Sequence, residues 1–329
     1  MQRLTWDEVE AARRTPGRAA LLFLTDRCPV GCAHCSVDSR RDSAAITDFR
    51  TFTEIIEGLA AAPALDVIGI SGGEPMTERR GLAFAAHRLA SAGKRVVIYT
   101  AGVWATSPDP PEWISGVLRS AACVVLSTDS YHSAHIPARR FACAARAIDR
   151  SGANLVVQTL DDPRELAAAH DLLTISFGVS WPQHAEISQV PPLPHGRGAG
   201  LFPAAAPPHR MGAQFGTCTV ASAPVLRYDG RVSACCNEAV VMGAGPAALR
   251  RSVRTRADVV KVFTDLAASP YLTTIATAGL GPLTALPPWR ALATKRFPSV
   301  CALCWRMVGS ADGPREAAML TLIAAARPR

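Results

Sequence analysis

The chain has 329 residues, of which 49% are hydrophobic, and this length and apolar content predict one large domain and one small one. It contains no apolar run of about eighteen residues and no secretory leader, so we expect neither a membrane span nor export. The ten cysteines, several at metal-ligand spacings, indicate a reducing cytoplasm and argue against a disulfide framework.

The formal net charge of +8 is compatible with a nucleic-acid partner. The densest basic stretch contains Arg250, Arg251, Arg254 and Arg256. Because arginine is frequent throughout the chain, this stretch is more typical of a solvated helix face or of a groove for an acidic substrate. Nucleic acid is therefore not the partner that we expect.

Strand-like and helix-like segments alternate along the first two thirds of the chain, after a polar helix predicted at Trp6 to Arg14. The predicted strands are Ala20 to Thr25, Val67 to Ser71, Arg95 to Thr100, Cys123 to Thr128, Asn154 to Leu160 and Glu186 to Val190. The predicted helices are Phe52 to Ala62, Glu78 to Ala92, Pro110 to Ser120, Arg139 to Ser151 and Pro163 to Leu173. This order predicts parallel βαβ units, and therefore an α/β fold.

Three cysteines follow the first predicted strand with the spacing C-x3-C-x2-C: Cys28, Cys32 and Cys35. Three thiolates on one short loop can hold three irons of a cubane cluster and leave the fourth iron open to a ligand. A structural zinc loop is the alternative, and it requires a fourth ligand. His34 is adjacent, but we expect its ring to point away from a site that Cys35 ligates.

The second predicted strand ends in Gly72-Gly73-Glu74-Pro75. Paired glycines at a strand end let the backbone approach a ligand closely. Together, the three-cysteine loop and this segment resemble the radical S-adenosylmethionine (radical SAM) superfamily, in which both motifs occur in this order.

The resemblance implies a partial (β/α)6 barrel, in which functional groups gather at the carboxyl ends of the strands. It implies that Cys28, Cys32 and Cys35 ligate a 4Fe-4S cluster, with the unique iron binding S-adenosylmethionine (SAM). It also implies that Gly72, Gly73 and Glu74 hold the SAM amino group. In the family, one electron from a reductant such as flavodoxin or ferredoxin cleaves SAM to a 5'-deoxyadenosyl radical, which abstracts a substrate hydrogen.

Polar residues follow the fourth predicted strand, where related enzymes bind the SAM ribose. Ser127 and Asp129 are our predictions for this role, although Asp129 is equally typical of a cap for the next helix. His132 and His135 lie close by, and single histidines at strand ends are more often structural than substrate-binding.

The sixth predicted strand ends at Val190, whose backbone we expect over the SAM adenine. The following segment, Pro191 to Gly200, resembles the G-R-A element of the family, with Gly198 replacing the alanine. A Pro/Gly linker that leaves the barrel is the plainer interpretation of the same residues.

A second cysteine group lies near the C-terminus: Cys218, Cys235, Cys301 and Cys304. A hairpin predicted over residues 225–234, turning at Asp229-Gly230, carries Cys235 back towards Cys218. The group resembles the SPASM/Twitch branch of the superfamily, which implies a second, auxiliary 4Fe-4S cluster with no open iron. A structural zinc site with four cysteine ligands is the alternative.

Cys236 is adjacent to Cys235, and neighbouring strand residues face opposite sides. Only Cys235 is therefore expected to reach the second cluster. Cys236 is either a buried apolar thiol or a hydrogen-atom donor of the kind that some peptide epimerases use.

The predicted domain organisation follows from these motifs. The predicted ranges are 1–17 for an N-terminal helical extension, 18–200 for the barrel, 201–212 for a linker, 213–310 for an auxiliary-cluster domain with a β-hairpin and helices, and 311–329 for a C-terminal helix.

The resemblance favours modification of a ribosomally made peptide, by a thioether or carbon-carbon crosslink or by epimerisation. The barrel is predicted to begin within about twenty residues of Met1, which leaves no space for an N-terminal leader-binding domain and counts against this hypothesis unless that domain is a separate protein. Oxidation or rearrangement of a small molecule such as an aminosugar is the second hypothesis. An RNA-modifying radical enzyme is the third, although the sequence has no apparent RNA-binding module.

Overall fold

Strands and helices alternate through the first two thirds of the protein, as predicted. The computed structural model describes residues 3–202, 209–309 and 316–326. The strands in this region are β1 Ala19–Phe23, β2 Val67–Ser71, β3 Arg95–Thr100, β4 Cys123–Ser127, β5 Asn154–Leu160 and β6 Ala185–Val190. The helices are α1 Trp6–Arg14, α2 Phe49–Ala61, α3 Arg79–Ser91, α4 Glu112–Arg119, α5 Ser130–Ser133, α6 Ala138–Ser151 and α7 Pro163–Phe177.

The remaining region has shorter elements. Its strands are β7 Arg210–Met211, β8 Val225–Arg227, β9 Arg231–Ser233, β10 Arg250–Ser252 and β11 Arg296–Phe297. Its helices are α8 Glu238–Val241, α9 Arg256–Ala267, α10 Pro270–Thr277, α11 Leu280–Leu283, α12 Val300–Val308 and α13 Glu316–Ala326. Short 3-10 turns lie at Pro75–Thr77, Gly178–Gln183, Gly196–Gly200, Gly212–Gln214, Ala247–Leu249 and Pro287–Leu292.

Within the described residues, the main sheet has the order β10-β9-β8-β1-β2-β3-β4-β5-β6. Neighbouring strands from β1 to β6 are parallel, with Leu22 opposite Ile70 and Ile70 opposite Ile98. Each helical crossover returns the chain to the end of the sheet where the previous strand began, which is why consecutive strands run parallel. This topology confirms the predicted α/β fold with a parallel sheet.

One face of the sheet packs on the helices. Leu22, Ile70 and Ile98 belong to this apolar core, together with the buried face of α2, which includes Phe52 and Ile55. All of these side chains are completely buried. Each contributes about 2 kcal/mol through loss of contact with water, so this face stabilises the fold.

The alternate residues of the same strands face the opposite side, where Leu21, Gly69, Tyr99 and Gln158 line an internal cavity. Helix α1 closes the amino-terminal end of this side. A capping box between Thr5 and Glu8 begins the helix. Its buried residues Val9 and Ala12 then pack on Ala19, Val67 and Val97 of the strands, so this helix covers part of that face of the sheet.

The predicted hairpin is present as β8 and β9, which pair antiparallel around Gly230. Gly230 has φ +85°, a left-handed conformation that glycine adopts without strain. Strand β8 also pairs with β1 in parallel, Leu226 lying opposite Leu22. The hairpin therefore extends the main sheet next to β1, an arrangement that the sequence did not predict.

Buried polar contacts join this hairpin to the segment that precedes Cys28. Arg227 Nη2 lies 2.6 Å from Asp26 Oδ2, and the Tyr228 hydroxyl donates to the same oxygen at 2.8 Å. Arg227 is 2% exposed and stacks over Phe23 at 4.7 Å. The hairpin thereby supports the start of the three-cysteine loop.

None of the helices in the described part of the chain is long and apolar enough to cross a bilayer. The predicted linker at 201–212 includes residues 203–208, which lie outside the described residues. The predicted C-terminal helix at 311–329 corresponds to α13, while residues 310–315 and 327–329 also lie outside.

Candidate functional site

Cys28, Cys32 and Cys35 line one cavity of ≈ 260 Å³ at the carboxyl ends of the strands. The loop that carries them is closed by backbone hydrogen bonds, from Cys28 to the Arg40 carbonyl at 2.8 Å and from Cys35 to the Cys32 carbonyl at 3.2 Å. Val30 packs against Cys32 in a small apolar cluster. The three thiols therefore point into one partly dry space.

Burial raises the pKa of the Cys32 thiol to about 12, with the neighbouring Cys28 thiol adding to the effect. Burial likewise raises the pKa of Cys28. Thiols in such surroundings are neutral until a metal binds and displaces their protons. Three sulfur donors that line one cavity, with Cys32 buried and Cys28 and Cys35 half-buried, fit an iron-sulfur cluster with one open iron.

Gly72 and Gly73 line the same cavity and pack against the protein's own backbone. A Cβ on Gly72 would lie 2.5 Å from the Thr25 carbonyl oxygen, and one on Gly73 would overlap the Arg27 carbonyl. The Gly73 amide donates to Thr25 at 2.7 Å. Only glycine allows β2 to approach the segment before Cys28 this closely, in addition to any role towards a ligand.

Glu74 is almost completely buried, and its carboxylate is engaged within the protein. It accepts hydrogen bonds from the Thr100 hydroxyl at 2.8 Å, the Ala101 amide at 2.8 Å and the Met76 amide at 3.1 Å. Burial raises the pKa of Glu74, although these three donors act in the opposite direction. In this structure Glu74 ties the end of β2 to the end of β3, and its contact with the SAM amino group stays a prediction.

Ser127, Asp129 and Val190 line this cavity as well. Asp129 caps helix α5 by accepting the His132 amide at 2.8 Å. Burial opposes ionisation of this carboxyl, but hydrogen bonds from His132 and His34 hold the pKa of Asp129 far below its usual range. The capping contact is therefore present, while binding of the SAM ribose stays a prediction.

The expectation that the His34 ring points away from the site is wrong. His34 lines the cavity, stacks on Tyr131 with ring centroids 4.7 Å apart, and places Nε2 3.2 Å from Asp129 Oδ2. Side-chain direction on a loop depends on what packs beside it, which here is the segment after β4. Spacing alone carried no signal of this contact.

Arg197 is a site residue that the sequence analysis missed. Its amide donates to the Cys35 carbonyl at 2.9 Å, and its side chain reaches the Cys32 carbonyl, the Ser39 carbonyl and the Asp38 carboxylate. The adjacent Gly196 lies so close to the loop that a Cβ would be 2.5 Å from the Cys35 oxygen. The Gly-Arg-Gly segment after β6 therefore clamps the cysteine loop; its likeness to the G-R-A element was the available signal.

A second cavity of ≈ 330 Å³ adjoins the first and shares Gly72, Tyr99 and Gln158 with it. Its wall is mainly apolar and lies on the inner face of the sheet. Arg13 and Glu238 are the charged residues among the described ones that line it. Cys236 faces this cavity, and burial raises the pKa of its thiol.

The four remaining motif cysteines lie around the second apolar core, where Cys218, Cys235 and Cys304 pack. Burial raises the pKa of Cys235 to about 12, and nearby Cys304, Cys218 and Cys301 contribute. Cys218, Cys235 and Cys304 thus lie in one region, and Cys301 influences Cys235, whereas Cys236 faces the inner cavity; their role as ligands stays a prediction. Four sulfur donors suit either a 4Fe-4S cluster or Zn²⁺.

Two polar groups approach sulfur atoms of this second cysteine group. The Tyr271 hydroxyl lies 3.3 Å from Cys304 Sγ, and Asn237 Nδ2 lies 3.6 Å from Cys301 Sγ. Hydrogen bonds to the sulfurs are one of the means by which proteins adjust the potential of a bound cluster.

Comparison with known protein families gives a match to part of the chain. Residues 22–151 match the profile of the Radical SAM superfamily. No curated protein matches the chain.

Several solved structures have a similar fold. Native anSMEcpe with bound AdoMet has a TM-score of 0.50 at 12% identity, covering 93% of this chain and 95% of that chain. Streptococcus suis SuiB bound to S-adenosylmethionine has a TM-score of 0.48 at 12% identity, covering 90% and 73%. BtrN in complex with AdoMet and 2-DOIA has a TM-score of 0.43 at 13% identity, covering 84% and 92%.

At such low identity, the likeness to anSMEcpe shows the fold alone. The profile match is more specific, because it runs from β1 to the end of α6 and includes both the three-cysteine loop and the Gly-Gly-Glu-Pro segment. Residues 22–151 of this chain form a radical SAM domain.

Proposed function

We propose that the protein is a radical SAM enzyme that epimerises an amino-acid residue in a peptide. The observation that carries the proposal is the position of Cys236. Its side chain faces the inner cavity that adjoins the space lined by Cys28, Cys32 and Cys35. A substrate between these two groups would have the radical source on one side and a thiol on the other.

The first cavity supplies the binding groups for the cofactors. Cys28, Cys32 and Cys35 would ligate a 4Fe-4S cluster, and the lining residues Gly72, Gly73, Ser127, Asp129 and Val190 would surround SAM. With cluster and SAM bound, the family's chemistry supplies a 5'-deoxyadenosyl radical that removes one hydrogen atom from the substrate. The apolar neighbours Val30 and Ile136 limit the access of water to this space.

Cys236 would complete the reaction from the opposite face. The substrate carbon loses a hydrogen atom to the deoxyadenosyl carbon, and the Cys236 S–H bond then breaks as a new C–H bond forms with inverted configuration. The Cys236 thiyl radical regains its hydrogen as one electron, from a flavodoxin- or ferredoxin-class reductant, and one proton. The raised pKa of Cys236 keeps the sulfur protonated, which is the form that donates a hydrogen atom.

Two features support a peptide substrate. Arg13 and Glu238 both influence the Cys236 thiol and line the same cavity, so a guanidinium and a carboxylate are both near the sulfur. A peptide α-carbon is flanked by a carbonyl and an N–H, which suit these two groups respectively. Among the similar folds, anSMEcpe has been solved with a Kp18Cys peptide and SuiB with the precursor peptide SuiA.

Cys218, Cys235, Cys301 and Cys304 would hold a second 4Fe-4S cluster in an auxiliary domain over residues 213–310. Complete ligation by four thiolates suits electron transfer to and from the Cys236 region, because it leaves no iron open to substrate. Iron and zinc analysis of anaerobically purified protein tests this assignment. About eight irons per chain support it, whereas about four irons with one zinc support the structural zinc alternative.

The test of epimerisation uses D2O as solvent, because a thiol exchanges its hydrogen with solvent. Reconstituted protein is incubated with SAM, a reductant and a candidate precursor peptide. We expect one deuterium at the inverted α-carbon, and Cys236→Ser should still release 5'-deoxyadenosine without inverting the residue. Cys143→Ser, at a buried core cysteine on α6, is the matched control and should behave like the parent protein. If Cys236→Ser still inverts the α-carbon of the peptide residue, Cys236 is not the hydrogen-atom donor.

A small-molecule substrate is the second hypothesis, and the size of the inner cavity favours it. A volume of ≈ 330 Å³ lies near the lower limit for small-ligand sites, which begin at about 300 Å³. Two-electron oxidation of an amino alcohol would need no hydrogen return from Cys236. The second hypothesis would be supported if the Cys236→Ser variant oxidises an aminosugar but forms no product from the peptide.

A further inference from the structure

The positive charge of the protein is concentrated in one part of the chain. Residues 209–309 contain twelve lysines and arginines but four aspartates and glutamates. This excess equals the formal net charge of +8 of the whole chain, so the remaining residues are neutral when taken together. A charge asymmetry of this kind between two regions indicates a charged partner for the basic one.

Within this region, residues 266–309 contain no aspartate or glutamate. Strand β11 belongs to this stretch and pairs with β7, so that Phe297 lies opposite Arg210. Arg296 Nη1 also donates to the His209 carbonyl at 2.9 Å, which ties the two segments together. Five exposed basic residues lie on β7, on β11 and on the segments around β11, and we call them the cationic face: Arg210, Arg290, Lys295, Arg296 and Arg306.

The four acidic residues of the region do not offset this charge. Asp229 and Asp265 each form an ion pair at 2.6 Å with a basic residue close to them in the sequence. Asp258 accepts hydrogen bonds at the start of α9, and Glu238 lines the inner cavity. Negative charge is therefore held away from the cationic face.

The cationic face lies beside the second cysteine group. Helix α12 carries Cys301, Cys304 and Arg306, and it begins three residues after β11 ends. Both cysteines are half-buried, so a cluster held by them would lie close to the surface. A short path from the surface favours electron transfer, because the rate of electron tunnelling falls steeply with distance.

The other basic stretch of the region, at residues 250–256, is interrupted by carboxylates. Asp258 Oδ2 accepts the Arg254 amide at 3.0 Å, and Glu54 Oε2 accepts the Arg256 amide at 2.9 Å. An acidic partner would meet these negative groups, which would weaken its attraction to this side of the protein.

We propose that the cationic face docks a small one-electron carrier protein with an acidic surface, of the flavodoxin or ferredoxin class. The carrier is oxidised by one electron, which reduces the iron that the second cysteine group would hold, and no bond forms or breaks. This inference rests on the proposed function, because that function requires electrons from such a carrier.

The character of the face suits a brief encounter. Electron-transfer complexes commonly bury less than about 1,200 Å², and complementary charge sets their rate of association. The cationic face has little apolar surface: its exposed large apolar side chain among the described residues is Met211, at 37%. Charge is therefore the main contribution that this face can make to docking.

Docking is tested by the equilibrium binding of an oxidised, acidic flavodoxin to the full-length protein, which requires no turnover. At about 50 mM salt, where surface charges are weakly screened, we expect the triple variant Arg290→Glu, Lys295→Glu and Arg306→Glu to bind at least tenfold more weakly. Raising the salt to about 300 mM should weaken binding by the parent protein in the same way. These three side chains form no ion pair within the described residues, so their replacement leaves internal contacts intact.

A second triple variant provides the matched control. Arg251→Glu, Arg254→Glu and Arg256→Glu change the net charge by the same amount at exposed positions on the side of β10 and α9. Flavodoxin should bind this control within about threefold of the parent. Equal weakening by both triple variants would overturn the assigned location. Circular dichroism establishes folding, and a glutamine version of the first variant replaces it if the glutamate version does not fold.

The same face could attract nucleic acid, and competition distinguishes this outcome. If duplex RNA displaces flavodoxin from the parent and binds more tightly than flavodoxin does, the proposal is overturned in favour of a nucleic-acid partner.

Release of 5'-deoxyadenosine separates failure of the docking site from failure of the proposed function. Dithionite reduces without docking, so the first triple variant should release 5'-deoxyadenosine at about the parent rate with dithionite and at least tenfold more slowly with reduced flavodoxin. Equal rates with flavodoxin in parent and variant would refute the docking site and leave the proposed function intact. Binding of flavodoxin at this face, without 5'-deoxyadenosine from either reductant, would refute the proposed function and leave the docking site intact.

Discussion

Arg197 donates two hydrogen bonds to the backbone carbonyl oxygen of Cys32, from Nε at 3.0 Å and from Nη2 at 2.7 Å. The two residues are 165 positions apart, so the segment after β6 holds a loop that follows β1. A guanidinium in this position fixes the orientation of the loop and places a positive charge beside the proposed cluster.

We expect Arg197→Met to destabilise the three-cysteine loop. The variant removes charge-assisted hydrogen bonds worth about 1.5 to 3 kcal/mol each, and iron retained at the first site should fall by at least half. Iron content and 5'-deoxyadenosine release measure the effect. Arg40→Met is the matched control, because Arg40 contacts Asp38 from a largely exposed position. An unchanged iron content in Arg197→Met would contradict the clamp.

Gly73→Ala should damage the same loop by a steric route. The new Cβ overlaps the carbonyl of Arg27, which is backbone and cannot rotate away. We expect a loss of about 1 to 3 kcal/mol in the free energy of unfolding, measured by urea titration. Gly200→Ala adds its Cβ to open space and should change stability little. Equal stability of the two variants would show that β2 can move away from the loop.

Asp66 should make part of the stability dependent on pH. Hydrogen bonds from Arg95, opposed by burial and assisted by Arg18, lower the pKa of Asp66 in the folded protein. Its contribution is therefore present above the unfolded pKa of about 3.9 and is lost as pH falls through the lower folded value.

We expect Asp66→Asn to lower the free energy of unfolding by about 1 kcal/mol at pH 7, and by progressively less below pH 4. Urea unfolding at each pH measures the effect. The exposed Asp171 on α7 provides a control, and Asp171→Asn should cost little at either pH. A cost for Asp66→Asn that does not decrease on acidification would contradict the assigned pKa shift.

Tyr271→Phe should alter the proposed second cluster without removing a proposed cysteine ligand. The hydroxyl hydrogen bond to Cys304 Sγ stabilises the more negative, reduced state of a cluster. We expect the midpoint potential of the second cluster to fall by tens of millivolts, about 43 mV for each kcal/mol of lost interaction. A redox titration followed by electron paramagnetic resonance measures both clusters, and the first cluster is the internal control. A potential that does not change would exclude this hydrogen bond as a determinant.

The pattern of apolar residues predicted β1 to β6 and the intervening helices to within a few residues. Each strand is short and rich in branched residues, and each helix has a periodic apolar face, so local preference and burial agree. The position of the hairpin was not predictable in this way. Leu226 pairs with Leu22 across more than two hundred residues, and short-range patterns carry no signal for such a contact.

The cysteine spacing C-x3-C-x2-C and the Gly-Gly-Glu-Pro segment were sufficient to predict a radical SAM domain, because both motifs lie on short, nearly rigid loops. Side-chain directions required the folded chain. Strand residues alternate between two chemically similar faces, so Tyr99 could be placed in the inner cavity, together with Cys236, only from the packed structure. The contacts of His34 with Asp129 and of Arg197 with Cys32 likewise join distant segments, and packing alone brings them together.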